Sequence, residues 1–543
     1  MKAPPKRLDR WLLLIPPLLA AVAGLALALS AKGLPLDDAY IFRRYAENLA
    51  QGQGFSFNPH ETSFGCTSFL WPVLVSFFLR IFGIKSYLFV VQALGILAYS
   101  GTVFLAGAIT LALTRERLFA LAAGLLAATS PALFMNAVSG METALFVFEI
   151  ALLIWLVGRF GFRPIPLGLL SALLFLTRPE GLLPAALIPL AFLIRGTPYL
   201  IPHDSKQLSM VSPKFRKLIL FGICFLVPVL PYLGFVYHHT GHFLPGTYLG
   251  KIMMAQDPAL LQRAWPERLL WALISLDDGW NKLIAPLQLL GRIIRAATFY
   301  LGLAALGDLV KRRAEIPPGL LILLPLVFLP AAYGLSFPVS PAFGGYYHRY
   351  IAPVMLSFAI AGCAGLFRLY QWIAFRRPRL DRRRLVFPAG FAVFLLYLAV
   401  VSWPQWQEGR KVFKQEVSLN EGLRLDAALW LARHTSKDAR ILVGYTGLGV
   451  VGGNCGRWVY DLGALINPDI FDYYQGTKPL TEERWQQVLR YIADRHITWY
   501  VTFHYSLAPD PAKSRGFIEV TRLGTLGKPK TPYEQIRIYR IFR

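Results

Sequence analysis

Apolar runs of bilayer-spanning length, with basic residues gathered in alternate gaps between them, leave this chain one broad option. It folds as helices in a membrane. Of its 543 residues 55% are hydrophobic and 16% charged, too apolar a balance for a water-soluble chain of this size. The formal net charge of +25 would suit a nucleic-acid partner, but the cations cluster in short loops, where they encode orientation. Nucleic acid is therefore not expected.

Lys2, Lys6, Arg7 and Arg10 precede a first span at 11–31. A cleaved signal peptide competes for this stretch, with small residues near 28–31, but its apolar part is longer than a signal core. The run 69–82 is short for a span and is expected to dip in or lie at the interface. With it set aside, spans are expected at 87–113, 118–134, 144–158, 164–177, 181–194, 218–236, 287–310, 319–335, 351–375 and 385–402. Every dense basic cluster then falls on the side of the N-terminus. The expectation is a polytopic α-helical membrane protein of about eleven transmembrane helices with a C-terminal soluble α/β domain. Residues 1–402 form the membrane part, with a first outer loop at 32–70, and 403–543 lie outside. The chain is expected to be multi-pass in the plasma membrane, N-terminus cytoplasmic and C-terminal domain extracytoplasmic.

In that last part the patterns predict helices at 423–433 and 482–495 and strands at 440–444, 457–461, 498–503 and 533–542. Gly447, Gly449 and Gly452 spell G-x-G-x-x-G after a strand. A dinucleotide site would open a helix and place an acid about 20 residues on. Here the chain runs towards a strand, so a glycine-rich turn is the better reading. Cys66, Cys224, Cys363 and Cys455 show no metal spacing. Cys66 and Cys455 share the outer side, which leaves a bridge between them open.

The first outer loop begins with Asp37 and Asp38. From Ala39 the pattern is helical, with Ile41, Tyr45 and Leu49 on one face, and Gly52 and Gly54 stop it. Such a helix is expected to lie flat in the interface, apolar face down. Asp38 suits the N-cap, which leaves Asp37 free at a cavity mouth.

Other polar residues recur at outer span ends. Ser139 and Glu142 have capping-box spacing. Arg178 ends one span beside Pro179 and Glu180, and pairing with Glu180 is its plain reading. His238, His239 and His242 invite a metal but lack a settled ligand geometry. Tyr346, Tyr347, His348, Arg349 and Tyr350 open a late span. Arginine suits bidentate phosphate contact, whereas tyrosines there also serve as interface anchors. Carboxylates, cations and aromatics on one face are the set needed to bind a lipid-linked phosphate and activate a hydroxyl.

The stretch DDAYIFRRYAENLAQGQGFSFNP with the following G-x-T-S-x-L-W resembles the actinobacterial cell-wall arabinofuranosyltransferases of the GT-C superfamily. SGMETALF, LTRPEGLL, LPGTYLGK, HRYIAPV and VYDLGALINP are similar to recurring segments of that family, and the lipid A aminoarabinose transferases resemble it more distantly. The resemblance implies inverting transfer of a sugar from a polyprenyl-phosphate donor to a glycan or glycolipid acceptor. It makes Asp37 the base, with Asp38 second. It makes Arg44, Lys251, His348 and Arg349 the donor-phosphate ligands, and it brings Glu142, Arg178 and Tyr347 to the substrate. Gly246 stands where the family often has an amide side chain, which leaves the donor open. No cofactor is expected, and a divalent metal stays open. A flippase of lipid-linked sugars would predict internal repeats and midplane charge, neither of which is found. A non-catalytic envelope-assembly protein would not need the acidic pair.

Overall fold

The computed structural model describes residues 12–195, 213–241, 243, 349–350, 352–376, 403–444, 447–474, 482–503, 516–524 and 535–542. In chain order the membrane part starts with α1 (Ile15–Ser30), α2 (Asp37–Ala50), α3 (Leu70–Phe82) and α4 (Tyr87–Thr114). Next come α5 (Arg117–Ala128), α6 (Pro131–Ala137), α7 (Thr143–Phe160), α8 (Pro164–Thr177), α9 (Leu182–Arg195), α10 (Pro213–Thr240) and α11 (Ala352–Arg376). Among the described residues five helices are long and apolar enough to cross a membrane. They are Leu12–Ser30, Ile84–Thr114, Thr143–Phe160, Lys214–Thr240 and Ala352–Trp372. The chain is a polytopic helical membrane protein. Leu18, Val22 and Leu29 of α1 and Val227 and Leu230 of α10 are exposed, the stripe expected where lipid is the neighbour.

The span expected at 118–134 is a bent pair: α5 and α6 meet at 58°. Pro131 lacks the amide that a continuous helix would need, and it disfavours helical backbone at Ser130. The segments expected at 164–177 and 181–194 are helices of 14 residues each, shorter than a full crossing. Helix α3 is 13 residues, in keeping with a segment that does not span. The spans expected at 287–310, 319–335 and 385–402 lie outside the described residues.

The C-terminal segment opens with α12 (Trp403–Leu419), whose Trp406 packs at a tilt on Phe134 of α6, ring centroids 4.1 Å apart. A π-helical turn, Asn420–Arg424, leads to α13 (Leu425–His434). Strands β1 (Arg440–Val443), β2 (Trp458–Asp461), β3 (Trp499–Phe503), β4 (Phe517–Gly524) and β5 (Gln535–Ile541) form one sheet of order β2-β1-β3-β5-β4. β1 pairs in parallel with β2 and β3, and the last two strands are antiparallel. Helix α14 (Glu482–Asp494) covers one face through Trp485 and Tyr491, packed on Leu442, Tyr500 and Tyr539.

Strand alternation sends Ile441, Val443, Val501 and Ile538 to the other face. There they share a core with Tyr40, Ile41, Tyr45 and Phe57 of the first loop and with Trp71, Tyr87 and Val91 of the bundle. Helix α2 is therefore a layer between bundle and sheet. Ala39, Tyr40, Ile41, Phe42, Tyr45, Ala46, Glu47 and Asn48 are all buried, so it does not lie in the interface with one face on lipid. It ends in a Schellman turn: Gly52 has φ 77°, its amide bonds Leu49, and the Gln53 amide bonds Asn48. The Asn58 side chain finishes the junction by pairing the open edge of β2. It accepts from the Val459 amide and donates to the Val459 carbonyl, each at 3.0 Å.

Candidate active site

Asp37 and Asp38 occupy the first turn of α2, where the helix dipole favours carboxylates. Neighbouring helical positions diverge by about 100°, so the two acids meet different partners. Asp37 accepts the Gly449 amide at Oδ2 and the Val450 amide at Oδ1, both at 2.9 Å. Asp38 accepts from Arg349 Nη1 at Oδ2, 3.0 Å away. The reading of Asp38 as cap and Asp37 as the free acid is corrected here. Leu36 is the N-cap residue, and neither acid caps the helix. Tertiary partners outcompeted the local cap.

Arg349 is 5% exposed and Asp38 34%, so their contact lies where the buried cluster meets solvent. Arg349 Nη2 donates to the Tyr350 hydroxyl at 3.1 Å. Two guanidiniums lie near the Tyr350 ring, Arg349 at 5.1 Å and Arg178 at 5.2 Å from its centroid. Arg178 in turn bonds Glu142 Oε1 through Nη1 at 3.1 Å and grips Glu180 through Nε and Nη2 at 3.3 and 3.2 Å. The expected Arg178–Glu180 pair is thus present, with Glu142 added to it. The capping box is not formed: Glu142 occupies the N-cap position of α7 without bonding an amide there. The Ser139 hydroxyl donates to Asn136 and accepts from the Met141 amide instead.

Four elements thus deliver one cluster: the start of α2, the start of α7, the end of α8 and the residues before α11. Burial works to lower the pKa of Arg349, yet Tyr350, Asp38 and Glu142 outweigh it and hold the guanidinium charged. Of the other expected site residues, Arg44 points away. Its Nε donates to the Phe57 carbonyl at 3.1 Å, bracing the loop rather than joining the acids. Lys251, Tyr347 and His348 lie outside the described residues.

His239 Nδ1 sits 2.9 Å from the Phe235 carbonyl oxygen within α10. Among the described residues no group of three or more His, Cys, Asp and Glu is arranged to hold a metal ion. Cys66 and Cys455 are both free thiols, buried and turned to Ser68 and Gly452, so the bridge left open by the sequence is not made.

The C-terminal segment supplies what the sequence reading did not anticipate. The glycine-rich stretch forms a π-helical turn, Leu448–Gly452, and its amides do bind an anion, the Asp37 carboxylate. Burial raises the pKa of Asp37, opposed by the Arg424 charge and the two amides. Asp461 at the end of β2 is buried and accepts the Leu465 amide at 3.0 Å. Burial raises its pKa to about 7, against the pull of the Leu465 and Gly463 amides.

A raised folded-state value means that Asp461 is accommodated fully below its unfolded value of 3.8 and that this stability is lost as pH climbs through about 7. Asp461→Asn should therefore remove a loss of up to about 4 kcal/mol between acid and neutral pH. Thermal melts across that window test this. Parallel wild-type and variant curves would refute it.

No protein-family model and no curated protein sequence matches the chain. Its fold is shared with solved structures at low identity. The oligosaccharyltransferase of Archaeoglobus fulgidus, in the apo form, aligns with a TM-score of 0.55 and 14% identity, over 92% of this chain and 70% of that one. ArnT from Cupriavidus metallidurans bound to undecaprenyl phosphate aligns at 0.51 and 14% identity. The apo state of ArnT aligns at 0.54 and 13%, and both ArnT alignments cover 96% of this chain and 97% of ArnT.

Proposed function

We propose that the protein is a GT-C-type glycosyltransferase that moves a sugar from a polyprenyl-phosphate donor to a cell-envelope glycan or glycolipid acceptor, with inversion. The observation that carries this reading is the pairing of an oriented carboxylate, Asp37, with the Asp38–Arg349–Tyr350–Arg178 cluster at one end of the bundle. The shared fold supports it, and the ArnT structure that holds undecaprenyl phosphate supports a lipid phosphate as the donor's anchor.

In the proposed reaction Asp37 takes the proton of an acceptor hydroxyl as its oxygen attacks the anomeric carbon from the face opposite the phosphate. The bond from that carbon to the phosphate oxygen breaks, and its electron pair leaves with polyprenyl phosphate. Arg349 neutralises the charge that develops there. Asp38 holds Arg349 in place until the phosphate arrives, and the Tyr350 hydroxyl and ring steady the same guanidinium. The work is positioning and charge stabilisation, at a membrane edge that both a lipid donor and a polar acceptor can reach. In this reading 1–402 forms the membrane part, with its N-terminus cytoplasmic. Residues 403–543 face the extracytoplasmic side of the plasma membrane. Arabinofuranose is the first donor sugar to try, on the strength of the first-loop motif.

The test is transfer by purified protein from a panel of labelled polyprenyl-phosphate sugars to a membrane extract. Wild-type transfer from one donor supports the reading. Silence with every donor, together with passage of lipid-linked sugar across liposomes, would replace it with a transporter. Arg349→Gln should raise the donor KM by about 10- to 100-fold, the worth of one charge-assisted contact. An unchanged donor KM would remove Arg349 from the phosphate site.

A further inference from the structure

We propose that the C-terminal segment completes the catalytic site, with Gly449 and Val450 acting as positioning residues that orient Asp37, and Arg424 supplying a positive charge from the same segment. This rests on the glycosyltransferase reading and adds the part of the chain that the acid pair alone does not include.

The contact is built into both backbones. Two successive amides of the Leu448–Gly452 turn meet the two carboxylate oxygens, one each, which fixes the plane of the carboxylate as well as its place. A Cβ on residue 449 would lie 1.9 Å from the Asp37 carbonyl oxygen, so glycine alone lets turn and helix approach this closely.

A second wide turn, Asn420–Arg424, grips the chain just ahead of the acids. Asn420 Nδ2 donates to the Leu34 carbonyl at 2.8 Å, and the Tyr40 hydroxyl accepts the Leu34 amide at 3.0 Å while donating to Glu421. Arg424 is bonded to Asn420 from the same turn and lies over the Phe503 ring of β3 at 5.3 Å. Two π-helical turns converging on the stretch 34–40 is the pattern of a built site rather than a chance contact.

The charged groups that act on Asp37 are also drawn mostly from this segment. Arg424 favours its carboxylate, and Glu416 and Asp461 face the same region as acids. Asp38 is the near neighbour on its own helix. A base whose plane is set by fixed dipoles needs no reorganisation as it takes the proton. A misplacement of about 1 Å costs on the order of a hundredfold in rate.

The experiment is the pH profile of kcat/KM for full-length protein, compared between wild type, Gly449→Ala, Arg424→Gln and Arg424→Lys. Gly449→Ala should lower kcat by about a hundredfold with the donor KM little changed. Its acid limb should move to higher pH, since the amides that favour the carboxylate are lost. Arg424→Gln should move the limb the same way by removing a cation, and Arg424→Lys, which keeps the charge, should bring it back.

A purely structural staple would lower the yield of folded protein but leave the limb where it is. Folded variants with a wild-type limb and kcat would therefore overturn the proposal. If Gly449→Ala does not fold, the Arg424 pair decides by the same criterion. A silent wild type would sink the glycosyltransferase reading and this proposal together. An active wild type with unmoved variants would sink only this one.

Discussion

Asp37→Asn protein is expected to fold, bind donor and transfer sugar about a thousandfold more slowly than wild type, within the range a positioned general base supplies. The substitution keeps the size of the side chain and removes its ability to take a proton. An amide oxygen still accepts one of the Gly449 and Val450 amides, but its NH₂ faces the other donor, so the variant also loosens the contact that orients it.

Burial raises the Asp37 pKa, so wild-type kcat/KM should fall on the acid side at a pH above the ordinary aspartate range. That limb should vanish with the base. Asp38→Asn makes the contrast. Its partner is Arg349, so its main effect should be on donor KM rather than on kcat. Single-turnover transfer with a labelled donor separates the two. If Asp38→Asn loses the thousandfold and Asp37→Asn does not, the base is Asp38, and the amide-held acid is an anchor only.

What the sequence made legible follows distance along the chain. The membrane class came from local hydropathy, and the end of α2 at Gly52 from a glycine that takes positive φ. Most strands of the sheet came from β-branched and aromatic runs. Strand β4 was missed because every second residue of Phe517–Gly524 is exposed and polar residues interrupt it. Helix α12 was missed because Trp406, Phe413 and Val417, which carry its contacts with the bundle, are thinly spread among polar and charged residues.

The site residues were legible as types, and the local Arg178–Glu180 pair was legible too, but the long-range pairs were not. Asp38 and Arg349 are 311 positions apart, and Asp37 and Gly449 are 412 apart. Local rules therefore offered caps where the fold uses tertiary partners. The glycine motif shows the limit well. Its amides do what such turns do, which is bind an anion, but the anion is a side chain from the far end of the chain.

Arg178 gives the largest expected effect on stability. Its guanidinium is 3% exposed and joins Glu142, at 2%, with Glu180, at 17%. Removing the cation by Arg178→Met leaves two carboxylates without it in a nearly dry place, a loss of about 3–5 kcal/mol. Glu142 Oε2 has no hydrogen-bond partner among the described residues, so the acid relies on Arg178 at Oε1 and on the nearby Arg349 charge. The double variant Arg178→Met with Glu142→Gln should recover part of the loss, because one buried charge has gone. It should not recover activity, since the Tyr350 ring then keeps only one of its two guanidiniums. Unfolding in mixed detergent micelles measures the stability, and sugar transfer measures the rest. A double variant no more stable than the single one would mean that Arg178 stabilises the fold through Glu180 and Tyr350 rather than through Glu142. A double variant with restored transfer would remove Arg178 from the site altogether.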